Sequence, residues 1–242
     1  MQISPFILEQ YFAKYEFTAK YMLSSSDCDG FPMEYVLNQA TLQEREMWNK
    51  LTLGYTEGYG SPLLREAICR FYTKAKPENV LISSPGELSF ILMNVIIEEY
   101  RKKGKPHAVV ISPAYQSLYQ VLKSLDCEIS YWQAENGKFD IQTLKSLVKD
   151  NTCLIVINFP HNPTGAYITR EELEEIVEIA RSCGAYLYSD EMYRDLILDG
   201  RCTPLPPASD LYEKAVSLWG MAKSFGLAGL RIGWFVSQDT KL

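Results

Sequence analysis

From about residue 79 onward, short apolar runs rich in β-branched residues alternate with amphipathic stretches of helical period. This alternation is typical of a parallel sheet whose strands are joined by helices. The pattern predicts seven strands, at residues 80–83, 108–112, 127–132, 153–158, 185–189, 215–219 and 231–236. We therefore expect an α/β fold in three layers, with a mostly parallel seven-stranded sheet flanked by helices.

Local signals mark where several helices and turns begin and end. Thr169 and Glu172 have the spacing of a capping box, and Gly184 is placed to end the helix that follows them. The pair at 61–62, Ser-Pro, fits the N-cap and first position of an earlier helix. Asn-Gly at 136–137 predicts a tight turn after the third strand.

The first thirty residues have a different character, because aromatic side chains alternate with polar ones and a polar run follows at 24–29. We expect residues 1–30 to form an arm that wraps over the body, residues 31–242, and lines a pocket. An arm that only packs on the body, or that exchanges between two copies in a dimer, fits the composition equally well.

Composition narrows the range of partners and locations. The 242 residues are 47% hydrophobic, enough for a packed core, and carry a net charge of −6, which does not favour nucleic acid or an anionic membrane. The beginning of the chain does not resemble a signal peptide, and the longest apolar run, at 90–97, is too short to span a bilayer. We expect a soluble, cytoplasmic protein. Six scattered cysteines and two histidines predict reduced thiols and no metal site.

A segment near the end of the chain holds the most informative chemistry. Lys223 precedes Arg231 by eight positions, with glycines between them. A lysine amine can form a Schiff base, and the forked arginine cation suits a phosphate. Lysine and arginine usually lie on solvated faces, but apolar neighbours such as Phe225 and Trp234 place this pair in or beside a core, where cations need anionic partners.

Ligands of parallel α/β sheets bind beyond the carboxyl ends of the strands, so the residues after each predicted strand are considered together. Gly86 and Glu87 open a helix after the first strand, and their amides could face an anion. Tyr115, after the second strand, could stack on a flat ring, and Asn162, after the fourth, offers an amide. Each has a plainer alternative. Gly86 and Glu87 could simply form a strand-to-helix turn, and Tyr115 could be an ordinary packing residue. Asn162 could serve only to form its turn.

The fifth predicted strand leads into Asp190 and, three positions on, Tyr193. A carboxylate at a buried strand end is costly unless a cation or strong donor meets it, and a protonated ring nitrogen would satisfy that need. Tyr193 could reach a phenolic oxygen of the same ring. The alternative for Asp190 is an N-cap of the next element.

Together these groups form the set that pyridoxal phosphate requires. The chain also resembles the large domain of the fold type I, class I/II aminotransferases over nearly its whole length. The resemblance is carried by four ordered motifs: Tyr-Thr-Glu-Gly-Tyr-Gly at 55–60 with Leu-Arg at 64–65, Asn-Pro-Thr-Gly at 162–165, Asp-Glu-Met-Tyr at 190–193, and Lys-Ser-Phe-Gly-Leu-Ala-Gly-Leu-Arg-Ile-Gly at 223–233.

The resemblance implies a role for each residue that borders the cofactor ring. Lys223 would form the Schiff base with pyridoxal 5′-phosphate and then carry a proton between the substrate α-carbon and the cofactor. Asp190 would keep the pyridine nitrogen protonated, Asn162 and Tyr193 would donate to the phenolic oxygen, and Tyr115 would stack on the ring.

The resemblance also implies how the phosphate is bound and how the chain assembles. Gly86 and Glu87 would offer amides to the phosphate, with Arg231 as its counter-charge. Tyr55 would reach the phosphate of a neighbouring subunit, so a homodimer is expected. The implied substrates are an amino acid and a 2-oxo acid, and residues 31–242 would be the cofactor-binding large domain.

Two departures from the family pattern leave alternatives open. Many relatives carry hydroxyl residues where this chain has Gly220 and Ala222. Relatives also continue into a C-terminal small domain whose arginine binds the substrate carboxylate, whereas this sequence stops at Leu242. We therefore expect a truncated large domain without that small domain, and an inactive fragment or a non-catalytic binding module stays an alternative. Ser-Asp-Cys at 26–28 and the segments 113–119 and 221–224 resemble a subgroup that includes capreomycidine synthase-like enzymes, which makes a cyclase or eliminase using the same cofactor the other alternative.

Overall fold

The computed structural model describes residues 2–197, 200 and 202–242, and its sheet confirms the predicted strands. Each strand agrees with its predicted bounds to within two residues. The strands are β1 (Val80–Ser83), β2 (His107–Ser112), β3 (Glu128–Gln133), β4 (Thr152–Asn158), β5 (Tyr186–Asp190), β6 (Ala215–Gly220) and β7 (Gly233–Ser237).

Helices connect the strands and also make up most of the region before β1. In the described part of the chain the α-helices are α1 (Ile7–Tyr15), α2 (Met33–Gln39), α3 (Leu42–Asn49), α4 (Pro62–Cys69), α5 (Pro85–Arg101), α6 (Ser117–Ser124), α7 (Ile141–Leu147), α8 (Arg170–Cys183) and α9 (Ala208–Leu211). Short 3₁₀ helices occur at Pro77–Asn79 and Ala228–Leu230. None of the described helices is both long and apolar enough to cross a membrane.

The sheet is mostly parallel, as expected from the alternation of strands and helices. Its strand order is β1-β7-β6-β5-β4-β2-β3. Strand β7 runs antiparallel to both of its neighbours, β1 and β6, and the pairs from β6 to β3 are parallel. The carboxyl ends of β1, β2, β4, β5 and β6 therefore meet at one edge of the sheet, where ligands of such folds bind.

Two apolar layers cover the two faces of the sheet. Val110 of β2 packs in a cluster with Leu88 and Met93 of α5, whereas its neighbour Val109 packs with Ile176 of α8 on the opposite face. Successive residues of a strand point to opposite faces, so continuous apolar runs such as β2 and β4 fill both layers at once. The result is the three-layer architecture that the sequence predicts.

The predicted local signals are present with one difference. The Thr169 hydroxyl accepts from the Glu172 amide in a complete capping box, and Gly184 ends α8 with φ 70°. Ser61 occupies the N-cap position of α4, but its side chain makes no capping hydrogen bond. The turn at 136–137 is tight, with φ 51° and 77°, values at which asparagine and glycine are favoured.

The N-terminal segment, defined here as residues 2–32, lies across the carboxyl edge of the sheet. The Ile7 amide donates to the Gln116 side chain at 3.1 Å, and the Gln116 amide group donates to the Pro5 carbonyl at 3.0 Å. Further along, the Phe31 amide donates to the Gly226 carbonyl at 3.1 Å. Helix α1, which lies in this segment, contains no buried residue, so polar contacts such as these hold the segment. The division into an arm of residues 1–30 and a body of residues 31–242 stays a prediction.

Two glycines let the backbones of β6 and β7 approach closely at that edge. Gly220 pairs with Gly233, and a Cβ placed on Gly220 would lie 2.9 Å from both the Gly233 Cα and the Ile232 carbonyl oxygen. A Cβ on Gly233 would lie 2.7 Å from Cγ of Pro85, the first residue of α5. The pair therefore fixes the distance between the end of the sheet and the beginning of α5.

We expect Gly220→Ala to destabilise the protein by about 1–3 kcal/mol, because the new methyl group meets backbone atoms that cannot move independently. Chemical denaturation would measure the change in the free energy of unfolding. Gly229→Ala is the matched control, since a Cβ at Gly229 has no neighbour within 4 Å. Equal stability of the two variants would contradict the steric argument.

Candidate active site

Lys223 lies at the centre of the polar groups gathered at the carboxyl edge of the sheet. It follows β6 by three residues, and its side chain is only 19% exposed. Its Nζ pairs with the Asp27 carboxylate and donates to the Ser26 hydroxyl at 3.3 Å. The same ammonium lies 6.0 Å from the centre of the Tyr193 ring. The expectation that this cation has an anionic partner is met, although the partner comes from the N-terminal segment.

Asp190 ends β5 with its carboxyl group buried. Oδ1 accepts from the Met192 amide at 3.1 Å, and no described cation forms an ion pair with the group. Burial is the main cause that raises the pKa of Asp190, to about 7; the Met192 amide opposes this rise, Glu191 adds to it and Lys223 opposes it. The described residues after Asp190 form turns, so Asp190 is not the N-cap of a helix.

The turn that carries Asn162 is attached to the end of β5. The Asn158 side chain donates from Nδ2 to the Asp190 carbonyl at 2.8 Å and accepts at Oδ1 from the Asn162 amide at 2.9 Å. Asn158 is buried at the end of β4, so one side chain sets the spacing between two neighbouring loops. Sequence reasoning did not single out Asn158, because an asparagine within a turn-forming segment has several ordinary explanations.

Tyr193 faces the same space. Its hydroxyl is 2.8 Å from the Ser26 hydroxyl, and burial raises the pKa of Tyr193, with Ser26 and Lys223 opposing the rise. Tyr193, Ser26 and Asn162 line an open cavity of about 400 Å³. Phenol, hydroxyl and amide groups therefore border a space large enough for a small ligand.

Tyr115 follows β2 and is held from the N-terminal segment. Its hydroxyl donates to the Glu9 carboxylate at 2.5 Å, and its ring meets the edge of Phe6 at 6.2 Å between centroids. Burial and the Glu9 carboxylate both raise the pKa of Tyr115, while the nearby charge of Arg231 opposes the rise. The phenol consequently stays neutral and its ring orientation is fixed.

The groups predicted to bind a phosphate lie on both sides of the Gly220–Gly233 contact. Gly86 and Glu87 are in the first turn of α5, and neither amide donates to a described acceptor. Arg231 has φ 55°, is exposed, and donates from Nη1 to the Ala228 carbonyl at 3.1 Å. Tyr55 is fully exposed and makes no contact with these groups within the chain.

Asp27 and Ser26 are the site residues that sequence reasoning missed. The polar run at 24–29 was a visible signal, but no periodicity or spacing links it to a lysine 196 positions later. Among the described residues, no three histidine, cysteine, aspartate or glutamate side chains come together as a metal site.

The chain is similar to proteins of one family. The family model described as aminotransferase class I and II matches residues 18–242. Capreomycidine synthase of Streptomyces vinaceus is 29% identical over 243 residues, which cover 96% of this chain and 59% of that protein. Aspartate aminotransferase of Sulfolobus acidocaldarius is 27% identical over 194 residues, which cover 76% of this chain and 48% of that protein.

The chain is also similar to a solved structure of an aminotransferase. The PLP-dependent aminotransferase from Streptococcus suis 89-1591 superposes with a TM-score of 0.87 at 30% sequence identity, covering 100% of this chain and 64% of that one. The chain thus spans between about half and two thirds of the length of these relatives.

We expect the buried Asp190 carboxyl to make stability depend on pH. Its pKa in the folded protein, about 7, exceeds its ordinary value of 3.8, so the folded state retains the proton between these values. The stabilisation associated with that proton is lost as the pH rises through this window. The free energy of unfolding of the wild type minus that of Asp190→Asn should therefore fall between about pH 4 and 7, by up to about 4 kcal/mol.

Urea titrations without added ligand at several pH values would measure this difference. Asp140→Asn is the control, because the Thr143 hydroxyl and amide hold the pKa of Asp140 below its ordinary 3.8. The contribution of Asp140 to the free energy of unfolding changes only below about pH 4. The difference between the wild type and Asp140→Asn should therefore stay constant between about pH 4 and 7. A flat difference for Asp190→Asn would show that the carboxyl is not protonated in the folded state.

Proposed function

Because the chain belongs to the aminotransferase class I and II family, we propose that it binds pyridoxal 5′-phosphate and transfers an amino group between an amino acid and a 2-oxo acid. The observation that carries the proposal is the buried Asp190 carboxyl at the end of β5, close enough to Lys223 for the lysine charge to lower its pKa. A buried carboxylate that forms no ion pair with a described cation is stabilised by a ligand that brings a protonated ring nitrogen.

The donor set at this edge fits the cofactor group by group. Lys223 supplies a primary amine, Asn162 and Tyr193 supply an amide and a phenol, and Tyr115 supplies an aromatic face. The amides at the beginning of α5 and the Arg231 guanidinium suit the phosphate, which favours a helix N-terminus. In this proposal the helix amides and Arg231 bind the phosphate without hydroxyl side chains at 220 and 222, where this chain has glycine and alanine.

When bound, pyridoxal phosphate supplies an aldehyde that captures amines and a protonated ring that withdraws electrons from the captured carbon. Lys223 Nζ would be the amine that holds this group. In its free form the same amine would accept a proton from the substrate α-carbon and later donate it back. Asp190 would keep the ring nitrogen protonated, and Asn162 and Tyr193 would donate to the phenolic oxygen.

Several finer assignments belong to the same proposal. Residues 1–30 act as an arm over the site, and residues 31–242 form the cofactor-binding domain. Tyr55, which projects into solvent, reaches the phosphate of a second copy in a homodimer. We place the protein in the cytoplasm.

A second candidate is a cyclase or eliminase that uses the same cofactor and the same first steps. It is favoured by the 29% identity to capreomycidine synthase, which extends over 96% of this chain. Stoichiometric formation of a 2-oxo acid with conversion of the cofactor to its amine form supports transamination. A cyclised or dehydrated product with unchanged cofactor supports the second candidate, and the absence of bound cofactor supports a non-catalytic module.

We expect Lys223→Ala to abolish the covalent bond to pyridoxal phosphate, because no other amine adjoins Asp190 among the described residues. Borohydride reduction followed by peptide mass spectrometry should place one phosphopyridoxyl group on Lys223 of the wild type. Lys241→Ala is the control, since it removes an exposed amine outside the candidate site, and it should retain the phosphopyridoxyl group on Lys223. Equal labelling of Lys223→Ala and the wild type would refute the assignment.

We expect Arg231→Ala to weaken binding of pyridoxal phosphate by about 10- to 100-fold, the effect of losing a charge-assisted contact. Pyridoxal, which lacks the phosphate, should bind wild type and variant equally. Absorbance titrations of the Schiff base with both compounds would measure the two affinities. An equal loss for both compounds would mean that Arg231 does not bind the phosphate.

A further inference from the structure

The loop after β4 is joined to the loops on both of its sides, because β4 lies between β5 and β2 in the sheet. On the β5 side the Asn158 side chain makes the link. On the β2 side the link is His161, whose Nε2 is 2.8 Å from the Pro113 carbonyl oxygen. This contact couples the loop that carries Tyr115 to the loop that carries Asn162.

Backbone pairing does not reach as far as these two loops. The ladder between β2 and β4 ends at Val110 and Val156, two residues before either strand ends. Strands that are no longer paired can separate, so the distance between the loops that follow them depends on side-chain contacts. The hydrogen bond of His161 to Pro113 lies beyond the last paired residues and joins the loops there.

Both ring nitrogens of His161 have a partner, and the partners determine which nitrogen carries the proton. A carbonyl oxygen can only accept, so Nε2 donates to Pro113. Nδ1 is 2.6 Å from the Thr164 hydroxyl and accepts from it, and the Thr164 oxygen accepts in turn from the Ala166 amide at 3.2 Å. This set of hydrogen bonds fixes the orientation of the ring.

The surroundings of the ring favour its neutral form. His161 is 3% exposed, and its ring meets the Phe139 ring edge-on at 4.8 Å between centroids. Burial lowers the pKa of His161, although the hydrogen bond to the Pro113 carbonyl opposes this effect. A buried, neutral imidazole with both nitrogens bonded is suited to hold two loops together rather than to exchange protons with a ligand.

We propose that His161 is a positioning residue that sets the distance between the Tyr115 ring and the Asn162 amide. This inference rests on the proposed function, in which Tyr115 stacks on the cofactor ring and Asn162 donates to the phenolic oxygen. Both residues contact the ring and neither contacts the phosphate. Loss of the link should therefore weaken binding of pyridoxal phosphate and of pyridoxal by the same factor.

The Thr164 hydroxyl provides a test in which folding is not at risk, because Thr164 is exposed. Thr164→Val removes the hydrogen bond to Nδ1 and keeps the shape of the side chain, whereas Thr164→Ser keeps the hydroxyl. We expect Thr164→Val to bind both compounds about fivefold more weakly, the effect of losing one neutral hydrogen bond. Thr164→Ser should bind both compounds like the wild type. Absorbance titrations of the Schiff base would measure the affinities.

Substitution of His161 itself should have a larger effect. The phenyl ring of His161→Phe fills the same space but forms neither hydrogen bond, so we expect about tenfold weaker binding of both compounds. His161→Gln can place an amide nitrogen near the position of Nε2 and should recover part of the affinity. His107→Gln is the control, because His107 is also buried with both nitrogens hydrogen-bonded, but at the opposite end of β2. This control should lower the free energy of unfolding and leave both affinities unchanged.

The proton on the ring can be located without any cofactor. Long-range proton–nitrogen correlation spectra of isotope-labelled protein distinguish a ring nitrogen that carries a proton from one that does not, and His107→Gln assigns the signals of the two histidines. We expect a proton on Nε2 of His161 and none on Nδ1 at neutral pH. A proton on Nδ1 alone would overturn the inference, because Nε2 could not then donate to Pro113.

The binding measurements separate the inference from the proposed function. Unchanged affinity in Thr164→Val or His161→Phe, or a loss confined to pyridoxal phosphate, overturns the inference and leaves the proposed function intact. The inference is also overturned if Thr164→Ser loses as much affinity as Thr164→Val, or His107→Gln as much as His161→Phe. If His161→Phe does not fold, the Thr164 pair and the position of the proton decide. A wild type that forms no Schiff base refutes the proposed function and the inference together.

Discussion

Burial of the Asp190 carboxyl is the constraint around which the rest of the site is arranged. A carboxyl group at the end of a central strand loses its hydration, which the hydrogen bond from the Met192 amide and the charge of Lys223 offset in part. Asn158 binds the carbonyl of the same residue and thereby fixes the loop that carries Asn162. The buried Asp190 carboxyl therefore favours a proton or a cationic ligand, and the loop that carries Asn162 is held beside it.

The reversed strand β7 has a separate role at the beginning of α5. It brings the Gly233 backbone against the Gly220 backbone and the Pro85 ring, so that the sheet is in direct contact with the first residue of α5. A serine or threonine at 220 has no room beside the Gly233 backbone. Glycine at 220 is therefore required by this packing, and the contact of Gly233 with Pro85 holds the first turn of α5 at the edge of the sheet.

Much of the fold was predictable because burial imposes periodicity. Strands buried on both faces read as apolar runs, and the α8 capping box is encoded within four residues. The direction of β7 and the strand order depend on pairings between distant segments and have no local signal. In the site, residues at strand ends could be predicted because parallel strands end together. Asp27 and Glu9 could not, since exposed polar residues carry no periodic pattern and their partners lie 196 and 106 positions away.

Those long separations have a consequence for how the protein is made. The contacts of the N-terminal segment with Lys223 and Gly226 join segments far apart in sequence, 196 positions in the case of Asp27 and Lys223. Closing a loop of that length costs conformational entropy before any contact forms. During synthesis the first residues leave the ribosome long before their partners exist. The sheet can assemble strand by strand, but the N-terminal segment can cover Lys223 only after both parts of the chain have been made.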